Sequence, residues 1–395
     1  MNAREFSKKL LGQLVAINSV NPGTSSESEG EYEISEFLRD ALSKQGFSVE
    51  TQKVEPKRQN VIAKLRFGRK TKSSSTLMFN CHMDTVPVAG MSIDPLKPTV
   101  KGGFLYGRGS TDTKGGIAAT ITSAAQLLEE DPKELNGELV LTYVVGEELL
   151  SEGTEKLVEK YTSDAAIVCE PTNLALGLAH KGINRFLIEI YGKPAHGGVP
   201  ELGVDAIEKA GKLAARINGD LRTHLEQEKP HPLAGSPRIH NSIIEGGSKA
   251  WNVVPDYCKL GIERRTIPGE TTESLIKELE LQIEKIRAAE VDDNQRSFRH
   301  KISKTFERFP LETKPTEPIV KVLQSATREV LGDARIEGMP FWTDAAHLSQ
   351  KGGIPSVVFG PGRIEDAHTK DEKIELTQVY SSVEIFKITI ETFLA

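Results

Sequence analysis

Segments with helical period and short strand-like runs alternate from Met1 to about His180, and this alternation narrows the possible folds more than any other pattern in the chain. Residues 30–45 carry Ile34, Leu38 and Leu42 at four-residue steps, with Gly46 placed to stop a helix. The segment after Gly116 sets Ile117, Ile121, Ala124 and Leu128 on one face. Between these helices, residues 61–65, 76–80, 138–145 and 165–169 read as strands. Strands separated by helices in this way predict an α/β sheet with helices covering both faces.

From about Lys181 to Phe309 the rhythm changes. A strand (185–191), a helix (about 204–221), two strands (near 241–245 and 252–264), a helix (about 273–288) and a last strand (301–306) give the order β-α-β-β-α-β. That order predicts a ferredoxin-like α+β sandwich. After Pro310 the alternation resumes, with 355–359 as another buried strand. The expected organisation is one domain formed by residues 1–180 and 310–395, with a second domain, 181–309, inserted into it. Gly182 and Pro310 mark the hinge candidates. A length of 395 residues agrees with two cores rather than one.

Bulk properties exclude several classes. The net charge is −6 and no block of Lys and Arg dominates any region, which argues against a nucleic-acid partner. The first twenty residues place Phe6, Leu10, Leu14 and Ile17 on one helical face instead of in an unbroken apolar run. No later stretch of about 18 apolar residues exists, so neither export nor a membrane span is expected. The three cysteines, Cys81, Cys169 and Cys258, lie in different strand-like segments. A disulfide framework is not expected, and a cytoplasmic location is the simplest reading.

Five residues of metal-binding type stand in distinctive phrases: His82 in CHMDTVP, Asp112 in GRGSTDTKGG, Glu148 in VVGEELLSEG, Glu170 in VCEPTN and His368 in EDAHTKDE. Two imidazoles and three carboxylates are a ligand mixture able to hold two divalent cations with one carboxylate shared, which points to metal-assisted hydrolysis. Singly, each has a plainer explanation: Glu147 and Glu148 as a helix start, Asp112 as the cap of the next helix, Glu170 as a turn residue before Pro171. Most of the five follow a strand, however, and functional groups gather where strands of an α/β sheet end. Asp84 lies two residues after His82, so in extended chain its carboxylate can reach the far ring nitrogen of that histidine. Cys81 and Cys169 immediately precede ligand candidates, and strand alternation turns them to the opposite face as packing residues.

With these phrases in order over essentially the full chain, the sequence resembles the co-catalytic zinc amidohydrolase and metallopeptidase superfamily. That group contains acetylornithine deacetylase, succinyl-diaminopimelate desuccinylase, aminoacylase and glutamate carboxypeptidase. The C-terminal portion, GMPFWTDAAHL through KGGIPSVVFGPGRIEDAHTKDE, is most similar to the first two. The resemblance implies a zinc-peptidase-like catalytic domain with a mixed sheet, and an inserted domain that serves as lid and dimerisation module. It implies that Asp112 bridges two metals, that His82 and Glu170 complete one site, and that Glu148 and His368 complete the other. Glu147 would be the general base, and the peptide after Asp112 would be cis. GKPAHGGVPELGVDAI is similar to the segment whose histidine, here His196, reaches a partner subunit's site. ERRTIPGE matches a substrate-carboxylate motif through Arg265, NVVP brings Asn252 into the same region, and Gly360 to Gly362 looks like a loop that cradles the substrate carboxylate. Cys81, Thr113 and Gly146 depart from the usual residues, and none of the departures removes a ligand or the base.

The implied cofactors are two divalent ions, zinc first with cobalt or manganese as alternatives. The implied partners are a small N-acyl amino acid and a second copy of the chain. The expected reaction removes an acetyl or succinyl group from an amino acid or diamino acid; the alternative is a dipeptidase or carboxypeptidase using the same machinery.

Overall fold

A computed structural model describes residues 2–25, 28–69, 71, 74–130, 132–248, 250–289 and 298–395. The chain divides into two compact units: Met1–Leu178 with Glu312–Met339 and Thr343–Ala395, and Ala179–Leu311 with Pro340–Trp342.

The first unit is built on a nine-stranded mixed sheet. Its order is Ser48–Glu55, Arg58–Arg66, Glu138–Val144, Thr76–His82, Ala165–Val168, Ser356–Val358, Leu176–His180 and Leu311–Glu312, with Ile336–Met339 also pairing to Leu176–His180. The central strands Glu138–Val144, Thr76–His82, Ala165–Val168 and Ser356–Val358 run parallel to one another. They are buried almost throughout, as parallel strands covered on both faces must be. Helix Leu376–Leu394 packs on helices Gly115–Glu130 and Pro318–Leu331, while helix Tyr32–Lys44 covers strand Arg58–Arg66. Phe386 meets Phe79 and Phe359 edge-on, at ring separations of 4.9 and 5.9 Å. A buried ring of this kind is worth roughly 3–5 kcal/mol against truncation to alanine. Gly46 ends its helix with φ +92°, a conformation that favours glycine.

Register explains why distant residues meet. His82 pairs with Val144 and Asn80 with Val168, so the parallel strands end nearly level. Two residues beyond Val168, Glu170 falls level with His82, and Glu147 and Glu148 follow from the neighbouring strand.

The second unit holds a four-stranded antiparallel sheet in the order Arg238–Gly246, Tyr257–Thr266, Gly182–Tyr191, Arg299–Arg308. Ile188, Ile190, Leu260 and Ile262 from the sheet share a core with Ala210 and Leu213 of helix Ala206–Arg216 and with Leu279 and Ile283 of helix Thr272–Ala289. The run read as one strand over 252–264 is divided in two. Val253–Val254 pairs with Ala195–His196, and the main strand starts only at Tyr257. Pro255 lies at the break and lacks the N–H a ladder needs. Pro340–Trp342 joins this unit although it lies far along the sequence: the Trp342 indole donates to Phe309 O at 2.9 Å, and Arg308 stacks 4.4 Å from its ring centre. Three residues carry no periodicity, so nothing in the pattern announced that excursion. Among the described residues no helix is long and apolar enough to cross a membrane.

Candidate metal centre

At the carboxyl edge of the parallel strands the five ligand candidates form two groups that share one residue. His82, Asp112 and Glu170 make the first, Asp112, Glu148 and His368 the second, and within each group the ligand atoms lie within 4.8 Å of one another. Asp112 divides its carboxylate between them: Oδ1 is 2.9 Å from His82 Nε2, and Oδ2 is 3.1 Å from His368 Nε2. Glu170 lies 3.9 Å from His82 Nε2, and Glu148 3.1 Å from His368 Nε2. Asp112 sits in the irregular turn Ser110–Lys114 rather than as a helix cap, and its peptide bond to Thr113 is cis. His368 has φ +58°, a left-handed backbone that few residues other than glycine adopt.

The Glu147 and Glu148 pair also lies outside a helix, in a turn that precedes helix Glu152–Leu157. Asp84 organises this turn. Its Oδ1 accepts from the N–H groups of Gly146 at 3.0 Å and Glu147 at 3.1 Å, and its Oδ2 from Glu148 N at 3.1 Å and Asn21 Nδ2 at 2.8 Å. The expected contact with His82 is present but long, beside a shorter one to the backbone. His82 Nδ1 meets the backbone carbonyl of Asp84 at 2.9 Å, with the carboxylate at 3.5 Å. The strand stops at His82, and beyond it the Asp84 carboxylate serves the Glu147 turn as well as the histidine.

Charge in the site is lopsided. Burial, then the neighbouring acids Asp344, Glu148 and Asp112, holds the Glu147 carboxyl well above its ordinary range, although His82 pulls the other way. Glu170 and Glu148 are raised as well, first by burial and then by nearby acids. Burial also pushes Asp112 upward, but hydrogen bonds to His368 and His82 outweigh it and leave the carboxyl below the usual range. Hydrogen bonds to Asp112 and Glu148 lift His368 to about 10. Acids that draw protons onto two imidazoles would draw divalent cations in their place, and the mixed nitrogen and oxygen donor set suits such ions.

The cysteines stay out of these groups; Cys81 and Cys169 are buried and free. Gly360 and Gly362 lie beside the first group. A Cβ on Gly360 would stand 2.7 Å from Glu170 O, so the loop's close approach needs glycine there. Their N–H groups already donate within the protein, Gly360 to Thr172 Oγ1 at 3.2 Å and Gly362 to Gln378 Oε1 at 2.8 Å. His196, Asn252 and Arg265 belong to the second unit. There His196 pairs across strands with Val253, and Asn252 O accepts from Gly197 N at 2.7 Å. Arg265 is half exposed and 2.9 Å from Glu263, whereas Arg264 is buried against Glu270. Sequence reasoning passed over Asn21, Asp344 and Lys114. Asp344 accepts from Thr154 Oγ1 at 2.6 Å, and Lys114 donates to Ile17 O at 2.9 Å with burial lowering its amine to about 7. Each is a single polar residue whose partner lies far away in sequence, and only folding brings the two together.

Comparison with known proteins follows the same lines. The model of peptidase family M20/M25/M40 matches residues 78–392. N-formyl-4-amino-5-aminomethyl-2-methylpyrimidine deformylase of Bacillus subtilis is 31% identical, covering 91% of this chain and 88% of its own. Acetylornithine deacetylase of Myxococcus xanthus is 32% identical, covering 86% of each. The crystal structure of aminopeptidase PepT from Bacillus cereus superposes with a TM-score of 0.75 over 99% of both chains, at 22% identity, a likeness of fold. A family match that spans the ligand-bearing strands, the inserted unit and the C-terminal loop places this chain in peptidase family M20/M25/M40, among the metal-dependent hydrolases of amide bonds.

Proposed function

We propose that the protein removes an acyl group, acetyl or succinyl, from the nitrogen of an amino acid or diamino acid. The observation that carries this reading is the pair of ligand groups joined through Asp112, with the Glu147 carboxyl beside them. His82, Asp112 and Glu170 would hold one ion, and Asp112, Glu148 and His368 the other. Bound divalent ions, zinc in this reading with cobalt or manganese as substitutes, supply Lewis acidity that polarises the amide carbonyl and makes water more acidic. Glu147 takes a proton from the attacking water as the new C–O bond forms. It returns that proton to the amine nitrogen as the C–N bond breaks, leaving a carboxylic acid and a free amine. Asp84 keeps Glu147 in place through the backbone of its turn. His196 donates a hydrogen bond to the carbonyl oxygen as charge develops on it.

In this reading Arg265 binds the substrate carboxylate with Asn252 beside it, and it is supported by Arg264 being committed to Glu270. Gly360 and Gly362 shape the loop beside Glu170 on which the substrate rests. Residues 181–309 act as a lid and pair two copies, with His196 serving the site of the second copy. The exposed edge strand Arg238–Gly246, with Ile243 and Ile244 open to solvent, supports that pairing. Three free, buried cysteines support a cytoplasmic setting.

A second reading is favoured by the relative that deformylates an aminomethylpyrimidine: the released amine need not be an amino acid. The metal-loaded protein should therefore be offered acetylornithine, succinyl-diaminopimelate, the N-formyl aminomethylpyrimidine and a dipeptide panel. Turnover confined to the first two supports the proposal. Turnover of the formylpyrimidine or of dipeptides alone discards it.

A further inference from the structure

Glu372 has no part in the chemistry described above, yet it is fully buried beside the loop of Asp112. Four donors converge on its carboxylate. Oε1 accepts from Thr111 N at 3.0 Å and Asp112 N at 3.2 Å; Oε2 accepts from Gly109 N at 3.0 Å and Arg108 Nη1 at 2.6 Å. Backbone bonds join the same two stretches: Gly107 N donates to Glu372 O at 3.0 Å, and Thr111 Oγ1 to Lys373 O at 2.6 Å. Arg108 is itself fixed by Pro87 O at 3.1 Å. The segment carrying the shared ligand Asp112 is thus bound to the segment that begins, four residues earlier, with His368 in its left-handed conformation.

The two ligand groups do not depend on this junction equally. His82 stands at the end of a central strand with its ring held by Asp84 O, and Glu170 follows a second central strand. Glu148 is held by Asp84. His368 has no strand beneath it: the loop around it is held by the turn bonds of Asp366 N to Arg363 O at 3.0 Å, Ala367 N to Ile364 O at 3.2 Å and Thr369 Oγ1 to Asp366 O at 2.8 Å, by Lys373 Nζ 3.4 Å from Asp366 Oδ1, and by the bonds from Ser92 to Lys370 O. We infer that Glu372 is a positioning residue that sets the register between the Asp112 turn and the His368 loop, and thereby the affinity of the Asp112, Glu148, His368 group for its cation. This inference rests on the two-ion reading above. An ionised carboxylate can accept four hydrogen bonds, whereas a glutamine amide turns its NH2 towards two of those donors. Partners that orient metal ligands contribute about 10- to 100-fold in affinity.

The test is a chelator-competition titration of the full chain with zinc, repeated with cobalt to follow the visible spectrum of each equivalent. Wild type should take up two ions. Glu372→Gln should hold one as wild type does and bind the other about 10- to 100-fold more weakly, with the cobalt spectrum altered only for the second equivalent. Should Glu372→Gln fail to fold, Arg108→Lys removes the Nη1 contact and leaves the backbone donors in place. It should give the same ordering with a smaller change. Two unchanged affinities, or two weakened equally, overturn the inference and leave the two-ion reading standing. A wild-type protein that binds fewer than two ions overturns that reading, and this inference with it.

Discussion

Replacing Asp84 by asparagine separates the support of the site from its chemistry. Four donors, from Gly146, Glu147, Glu148 and Asn21, end on the two oxygens of a carboxylate with no solvent exposure. Asparagine offers one acceptor oxygen and one NH2, so two donors face another donor. Asn21 cannot simply turn over, because its Oδ1 already accepts from Gly23 N at 2.9 Å. An unsatisfied buried donor costs about 1–3 kcal/mol, so two cost roughly 2–6, and local adjustment brings the expectation to about 3 kcal/mol. Urea unfolding of metal-stripped Asp84→Asn, followed by far-UV circular dichroism, measures this without any ion present. The effect also has a definite pH dependence. Burial alone would raise the Asp84 carboxyl, but His82, Asn21 and the backbone donors pull it below its ordinary value. A depressed acid stabilises the fold above the unfolded value, near pH 4, and that contribution disappears as pH falls through the folded one. The gap between wild type and Asp84→Asn should therefore be full at neutral pH and close in acid. A neutral-pH difference below about 1 kcal/mol, the usual extrapolation error, would refute the account of Asp84 as the anchor of the turn.

Two further outcomes concern catalysis. Glu147→Gln should retain both ions by elemental analysis and lose about 10²- to 10⁴-fold in kcat; wild-type turnover would remove Glu147 as the base. Mixing inactive Glu147→Gln with inactive His196→Ala, with exchange of subunits, should restore about a quarter of wild-type activity if His196 serves the second copy's site. No recovery in a mixture shown to contain heterodimers would return His196 to its own subunit or to solvent.

The elements were legible wherever periodicity was strong. Ile34, Leu38 and Leu42 marked a helix that runs Tyr32–Lys44, and the β-α-β-β-α-β rhythm fixed the order of the second sheet. Ligand candidates could be read because each stood in a distinctive local phrase, and parallel register then carried His82 and Glu170, both at strand ends, to the same level. What could not be read was the wiring between segments. The Asp84 carboxylate does lie within 3.5 Å of His82, but its backbone carbonyl is closer and the same carboxylate also gathers the Glu147 turn, which no local pattern announces. Glu372 sits in the charged stretch TKDEK, where nothing distinguishes a buried latch from a solvated face. Hydrogen bonds between residues more than two hundred positions apart leave no local signature.

His82, Asp112 and Glu170 all precede the inserted unit, whereas the second group waits for His368. A ribosome thus releases every member of the first group well before the last member of the second, with an entire domain synthesised in between. A product cut short before residue 368 can bring together the ligand candidates of the first group at most. Such a product would also lack Glu372, which holds the Asp112 turn, and helix Leu376–Leu394, so the support of even the first group arrives with the end of the chain.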